Sequence, residues 1–170
     1  MTKYLKPEEF NSYYATYIDL VVNKDCVASL QQSLQETLSF YKSIPEEKWL
    51  FSYAYKKWTV KEIVQHLMDT ERIFAYRALC FSRKDKAELP GFDQDDYLVH
   101  SNANSRSIES LIEEYISIRN ATITLYKSFS KEMLLQIGIA SNSPLSVRAA
   151  GYIIAGHEKH HCSIIKERYL

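Results

Sequence analysis

Three of the five histidines in this chain of 170 residues stand together in Gly156-His157-Glu158-Lys159-His160-His161. Apolar residues around them recur at helical spacing, so His157 and His161, four apart, share one helical face. Two imidazoles so placed can grip one transition-metal ion. His160 points about 100° away from His161 around such a helix, toward solvent or a neighbouring carboxylate. Cys162 is rotated from His161 by a similar angle and reads as a packed thiol, not a ligand.

The stretch also fits H-E-x-x-H, the zinc-peptidase pattern, with Glu158 in the base position. The extended form of that pattern needs Gly at 164 and His at 167, where Ile164 and Glu167 stand. A peptidase is therefore disfavoured. A di-iron carboxylate centre needs two Glu-x-x-His elements, and only Glu158-x-x-His161 is present. A third ligand must come from upstream, from His66 or His100. His66 is favoured, because a ligand borne on a helix is better fixed than one on a loop. Three imidazoles with one coordination position open suit a catalytic site more than a structural one. Imidazole serves zinc, nickel and iron alike, so ligand type does not settle the metal.

The elements that must position these residues are helical nearly throughout. Phe10, Tyr13, Tyr14, Tyr17, Ile18 and Val21 predict a short amphipathic helix from about residue 7, with a break near Val22-Asn23-Lys24. Val27, Leu30, Leu34, Leu38 and Tyr41 line a second helix that ends near Pro45. Thr59 and Glu62 form a capping-box pattern that opens a third helix, carrying His66, to about Ser82. A fourth runs from Ser107 to Phe129, and a last one starts at Ser143-Pro144 and ends near Tyr169. Residues 83–104 form a long connection able to roof a site, and 130–143 a second connection. No strand is expected. The fold class is all-α: one domain over residues 1–170, a four-helix bundle with a short extra helix in front.

Composition narrows the function. Lys+Arg and Asp+Glu both total 21, and zero net charge disfavours a nucleic-acid binder that works through phosphate attraction. No apolar run is long enough for a membrane span, and Met1–Glu9 lacks one suited to a signal peptide. Three cysteines, odd in number and widely spaced, fit free thiols in a reducing cytoplasm.

Lys57-Trp58-Thr59-Val60-Lys61-Glu62-Ile63-Val64-Gln65-His66-Leu67-Met68-Asp69-Thr70-Glu71-Arg72 resembles the W-[ST]-x-x-E-x-x-x-H-L-x-D-x-E segment of DinB-like proteins. Phe74–Ala78 and Leu89-Pro90-Gly91-Phe92-Asp93 look like its continuation, and Gly156–His161 like the closing G-H-x-x-H-H motif. The resemblance to this family, also called YfiT-like metalloenzymes, covers nearly the whole chain. It implies an up-down-down-up four-helix bundle and one divalent metal ion held by His66, His157 and His161. It also implies a homodimer and a small-molecule substrate, since relatives include thiol-dependent S-transferases.

Two readings of function follow. The first is a metal-dependent enzyme, a thiol S-transferase or a hydrolase, that activates a low-molecular-weight thiol or a water. Asp69, on the same face as His66, is a candidate to orient an imidazole or act as a base, and Glu158 is a second candidate base. Arg72, Arg77 and Arg106 are candidates to hold an anionic substrate, with surface ion pairs as their ordinary role. The second reading is a non-enzymatic metal-binding or stress-response module. An open position beside a cavity favours the first, and a closed four-ligand site the second.

Overall fold

The computed structural model describes residues 5–22 and 25–170. Asn23 and Lys24 of the break expected near Val22-Asn23-Lys24 lie outside that range, as do the first four residues. Four long helices carry the architecture: α2 (Cys26–Ser43), α3 (Val60–Ser82), α5 (Ile108–Lys127) and α7 (Val147–Arg168). Between them lie the short helices α4 (Gln94–Val99) and α6 (Lys131–Leu134), and α1 (Ala15–Ile18) precedes them.

The packing layers fix the directions. Cys26 at the start of α2 meets Gly151 at the start of α7 and abuts the layer of Tyr126, late in α5. At the opposite end Tyr41, late in α2, stacks edge-on against Tyr115, early in α5. Arg106 just ahead of α5 reaches Gln65 early in α3, and Arg119 reaches Glu71 further along, so α3 and α5 are parallel. Helix α3 opens where α7 closes, with the Tyr169 hydroxyl donating to the Trp58 carbonyl. The order is up-down-down-up, as expected. No helix among the described residues is long and apolar enough to cross a membrane.

Local chemistry explains the helix starts. Thr59 accepts from the Glu62 amide at 3.2 Å while the Glu62 carboxylate accepts from the Thr59 amide at 2.7 Å, completing the capping box. Asp25 and Ser107 cap α2 and α5 through their side chains.

Three expectations need correction. The N-terminal segment is not one continuous helix. It forms two single 3₁₀ turns, Pro7–Glu9 and Ser12–Tyr14, before α1. Phe10 is extended and bridges to Leu145, and the Asn11 side chain caps the following turn, so the helical spacing is interrupted there. The last helix begins at Val147 behind the cap Ser146, not at Ser143. Residues Ile137–Ala140 (β1) and Ser143–Ser146 (β2) form an antiparallel hairpin instead of a bare connection and a first helical turn. Ser141 and Asn142 both take positive φ, 52° and 58°, as a two-residue hairpin turn demands. The 83–104 connection carries α4 and pairs with β1 through Leu89, whose amide donates to the Ile139 carbonyl at 2.9 Å.

Candidate metal centre

His66 lies on α3, and His157 and His161 lie on α7, where the two helices cross. The three Nε2 atoms converge. His66 Nε2 is 3.2 Å and His161 Nε2 is 3.0 Å from His157 Nε2, and donor nitrogens of all three lie within 4.8 Å of one another. Nε2 of His157 carries a single proton or a single lone pair, so it serves one neighbour well but not both.

Burial keeps the rings uncharged. It lowers the His66 pKa to about 4. His161 falls to about 3 through burial and the neighbouring His66 and His160. His157 is held well below the usual histidine range by burial and then by its three histidine neighbours. Neutral imidazoles with convergent nitrogens are the form that metals bind, so the donor set fits a divalent cation.

The surroundings pin the rings. Trp58 lies 4.8 Å from His66, ring centre to ring centre, and stacks near-parallel on His161 at 6.5 Å. Tyr17 packs edge-on against His157 at 5.0 Å. Gly156 permits that approach: a Cβ at this position would sit 2.0 Å from the Tyr17 carbonyl oxygen. Trp58 and Tyr17 were not singled out as site residues by sequence. Their signal was positional, one just ahead of the His66 helix and one on the apolar stripe of the first segment.

The other candidates part company. His160 is half-buried and packs against Tyr17 at 5.2 Å. His100 is exposed at the end of α4. Asp69 accepts from Gln65 Nε2 at 3.0 Å and faces Arg72 at 3.8 Å; burial raises its pKa. The Glu158 carboxylate is buried and accepts from Arg119 Nη2 at 2.9 Å. Cys26, Cys80 and Cys162 are free and buried, and burial pushes the Cys162 thiol up to about 12, so it is packed as expected. Arg72 and Arg106 both pair with Glu114. Arg77 does not follow the ion-pair expectation. It is 2 % exposed, and no carboxylate among the described residues lies within ion-pair distance.

Two cavities flank the centre. One of about 280 Å³ is lined by His66 and His157 together with Thr70, Phe74, Arg77 and Phe92. The other, about 330 Å³, reaches His161 beside Trp58, Lys56 and Lys57. Gln94 of α4 borders both, so the long connection contributes to the wall of each.

The sequence matches the family model of the DinB superfamily over residues 29–165. The chain belongs to the DinB superfamily. A curated protein of Oceanobacillus iheyensis, named "putative metal-dependent hydrolase", is 25% identical over 126 residues, covering 73% of this chain and 72% of the relative. YfiT from Bacillus subtilis, described as "a probable metal-dependent hydrolase with an unusual four-helix bundle topology", superposes with a TM-score of 0.65 at 15% identity. The match covers 96% of this chain and 90% of that one and establishes the shared bundle.

Proposed function

We propose that this DinB-superfamily chain is a divalent-metal-dependent enzyme that hydrolyses a small molecule at a cation held by His66, His157 and His161. The observation that carries this reading is the convergence of three neutral imidazoles, two buried and one half-buried, between two cavities, with no fourth His, Cys, Asp or Glu in the cluster among the described residues. A closed structural site would supply a fourth ligand. When bound, the cation supplies Lewis acidity and a nucleophile at neutral pH. The chain's own residues do the rest. Burial keeps the three ring nitrogens deprotonated, Trp58 and Tyr17 hold the rings in place, and Gln94 of the α4 connection forms part of the wall of both cavities.

A second reading, transfer of a low-molecular-weight thiol, draws support from the cavity at His161. Two compartments beside one centre suit two substrates, and Lys56 and Lys57 give that compartment a cationic mouth. Metal analysis of the wild type and of His161→Ala tests the shared core of both readings. The wild type should hold one divalent ion per chain and the variant should lose it; equal metal content removes His161 from the site. Chelator-sensitive turnover of an ester and amide panel without thiol supports hydrolysis. Turnover that requires added thiol supports transfer.

A further inference from the structure

We infer that the cavity beside His66 and His157 takes a small monocarboxylate, whose carboxylate meets Arg77 while its reacting end lies at the histidines. The position of the reacting end rests on the function proposed above. His66, Thr70, Phe74 and Arg77 follow one another at spacings of four, four and three on α3, so they form one stripe along the cavity wall. The histidine stands at one end of that stripe and the guanidinium at the other.

Arg77 is charged, buried and without a carboxylate partner among the described residues. Its Nη2 donates to the Pro90 carbonyl at 2.8 Å and to Ser141 Oγ at 3.0 Å, and the guanidinium lies 5.0 Å over the Phe74 ring. These contacts fix the planar fork in place but supply no negative charge. A buried guanidinium elsewhere in this protein has two carboxylates, Glu71 and Glu158 on Arg119. Burying a cation without a counter-charge is costly, and a ligand carboxylate would provide one through the N–H groups that Pro90 and Ser141 leave open.

Thr70 adds an independent observation. Its Oγ1 is buried with no hydrogen-bond partner among the described residues, and the residue is part of the cavity wall. Thr122 and Thr124, also helical, bond back to carbonyls four residues earlier at 3.1 Å and 2.8 Å. The same Thr70 side chain also touches a void of about 10 Å³ toward Arg119, which is too small for an organic ligand.

The charge count selects the class. Arg77 is the only Lys or Arg lining this cavity among the described residues, so its single guanidinium is matched by one carboxylate. Phe74, Phe92 and Ile153 supply lining that suits an apolar body, and the Tyr14 hydroxyl accepts a hydrogen bond from Arg77. A volume of about 280 Å³ lies at the small end for ligand sites.

Phenylacetate and its neutral isostere phenylacetamide test this, titrated by calorimetry into the protein as purified and after chelator treatment. Phenylacetate should bind about tenfold or more tightly than the amide in both forms, and Arg77→Met should erase that preference. The Arg77 Nε–H resonance of the wild type should shift with phenylacetate and not with the amide. That resonance carries the test should Arg77→Met fail to fold. No preference in the chelated protein, or no shift at Arg77, overturns the inference even where the metal is found. A preference that survives while metal analysis finds no bound ion leaves the carboxylate site standing and removes the metal reading alone.

Discussion

Two polar clusters lie side by side in the core of this bundle and solve burial in opposite ways. Arg119 of α5 sits between Glu71 of α3 and Glu158 of α7, with Nε 2.9 Å from one carboxylate and Nη2 2.9 Å from the other. Burial works to lower the Arg119 pKa, but Glu158 and Glu71 outweigh it, so the guanidinium is held charged. Both carboxylates there share one guanidinium inside the protein, and burial raises the Glu158 pKa. About a turn away on α3, and one residue away on α7, the histidine cluster has no counter-charge and stays neutral. A cluster that satisfies itself holds helices together. A cluster of convergent neutral ring nitrogens is the donor set that the proposed cation would take.

The largest expected effect breaks the self-satisfied cluster. Arg119→Met leaves two carboxylates facing each other in the core and should cost about 3–5 kcal/mol of stability. Denaturant unfolding measures it. A loss under about 1 kcal/mol would mean that Glu71 and Glu158 take up protons easily and that the ion triad contributes little.

Next comes the histidine cluster. His157→Ala should abolish stoichiometric metal binding, since this nitrogen is central to both close contacts, yet it should cost the metal-free protein less stability than Arg119→Met does. Metal content and chelated melting curves read the two halves separately. A variant that loses metal and also unfolds would erase the distinction between the clusters.

Acid sharpens the same contrast. The folded-state pKa values of His66 and His161, about 4 and about 3, lie below the unfolded value near 6.5. The unfolded chain therefore binds more protons below pH 6.5. The stability held above that pH is lost as pH falls from about 6.5 toward 4, by on the order of 1–3 kcal/mol per ring. Denaturation of the metal-free protein across that window should show the slope, and His66→Phe should reduce it. A bound cation should steepen the wild-type dependence, because protons compete with it for the same nitrogens.

Much of this was legible in the sequence. The spacing of His157 and His161, the Thr59–Glu62 box and the apolar stripes of the long helices are local signals, and the structure follows them. The hairpin was not legible, because its turn is Ser141-Asn142 and not a glycine-bearing pair, and its strands are four residues each. Glu158 shows another limit. Its place in H-E-x-x-H suggests a base, but its partner Arg119 stands 39 residues away on α5. The burial of Arg77 escaped for the same reason, since Pro90 and Ser141 come from separate segments.

The smallest expected effect concerns Asp69, which belongs to neither cluster. Its carboxylate bonds to Gln65 and faces Arg72 at the half-exposed edge of α3, one turn from His66 but directed along its own helix. Surface contacts of this kind contribute about 1 kcal/mol or less. Asp69→Asn should keep full metal content and change turnover by no more than about twofold, the size of an ordinary surface substitution. A fall of about a hundredfold in kcat with metal retained would place Asp69 in the chemistry after all. The proposed site would then extend along α3 beyond its three histidines, and the boundary between the two kinds of buried cluster would need to be redrawn around residue 69.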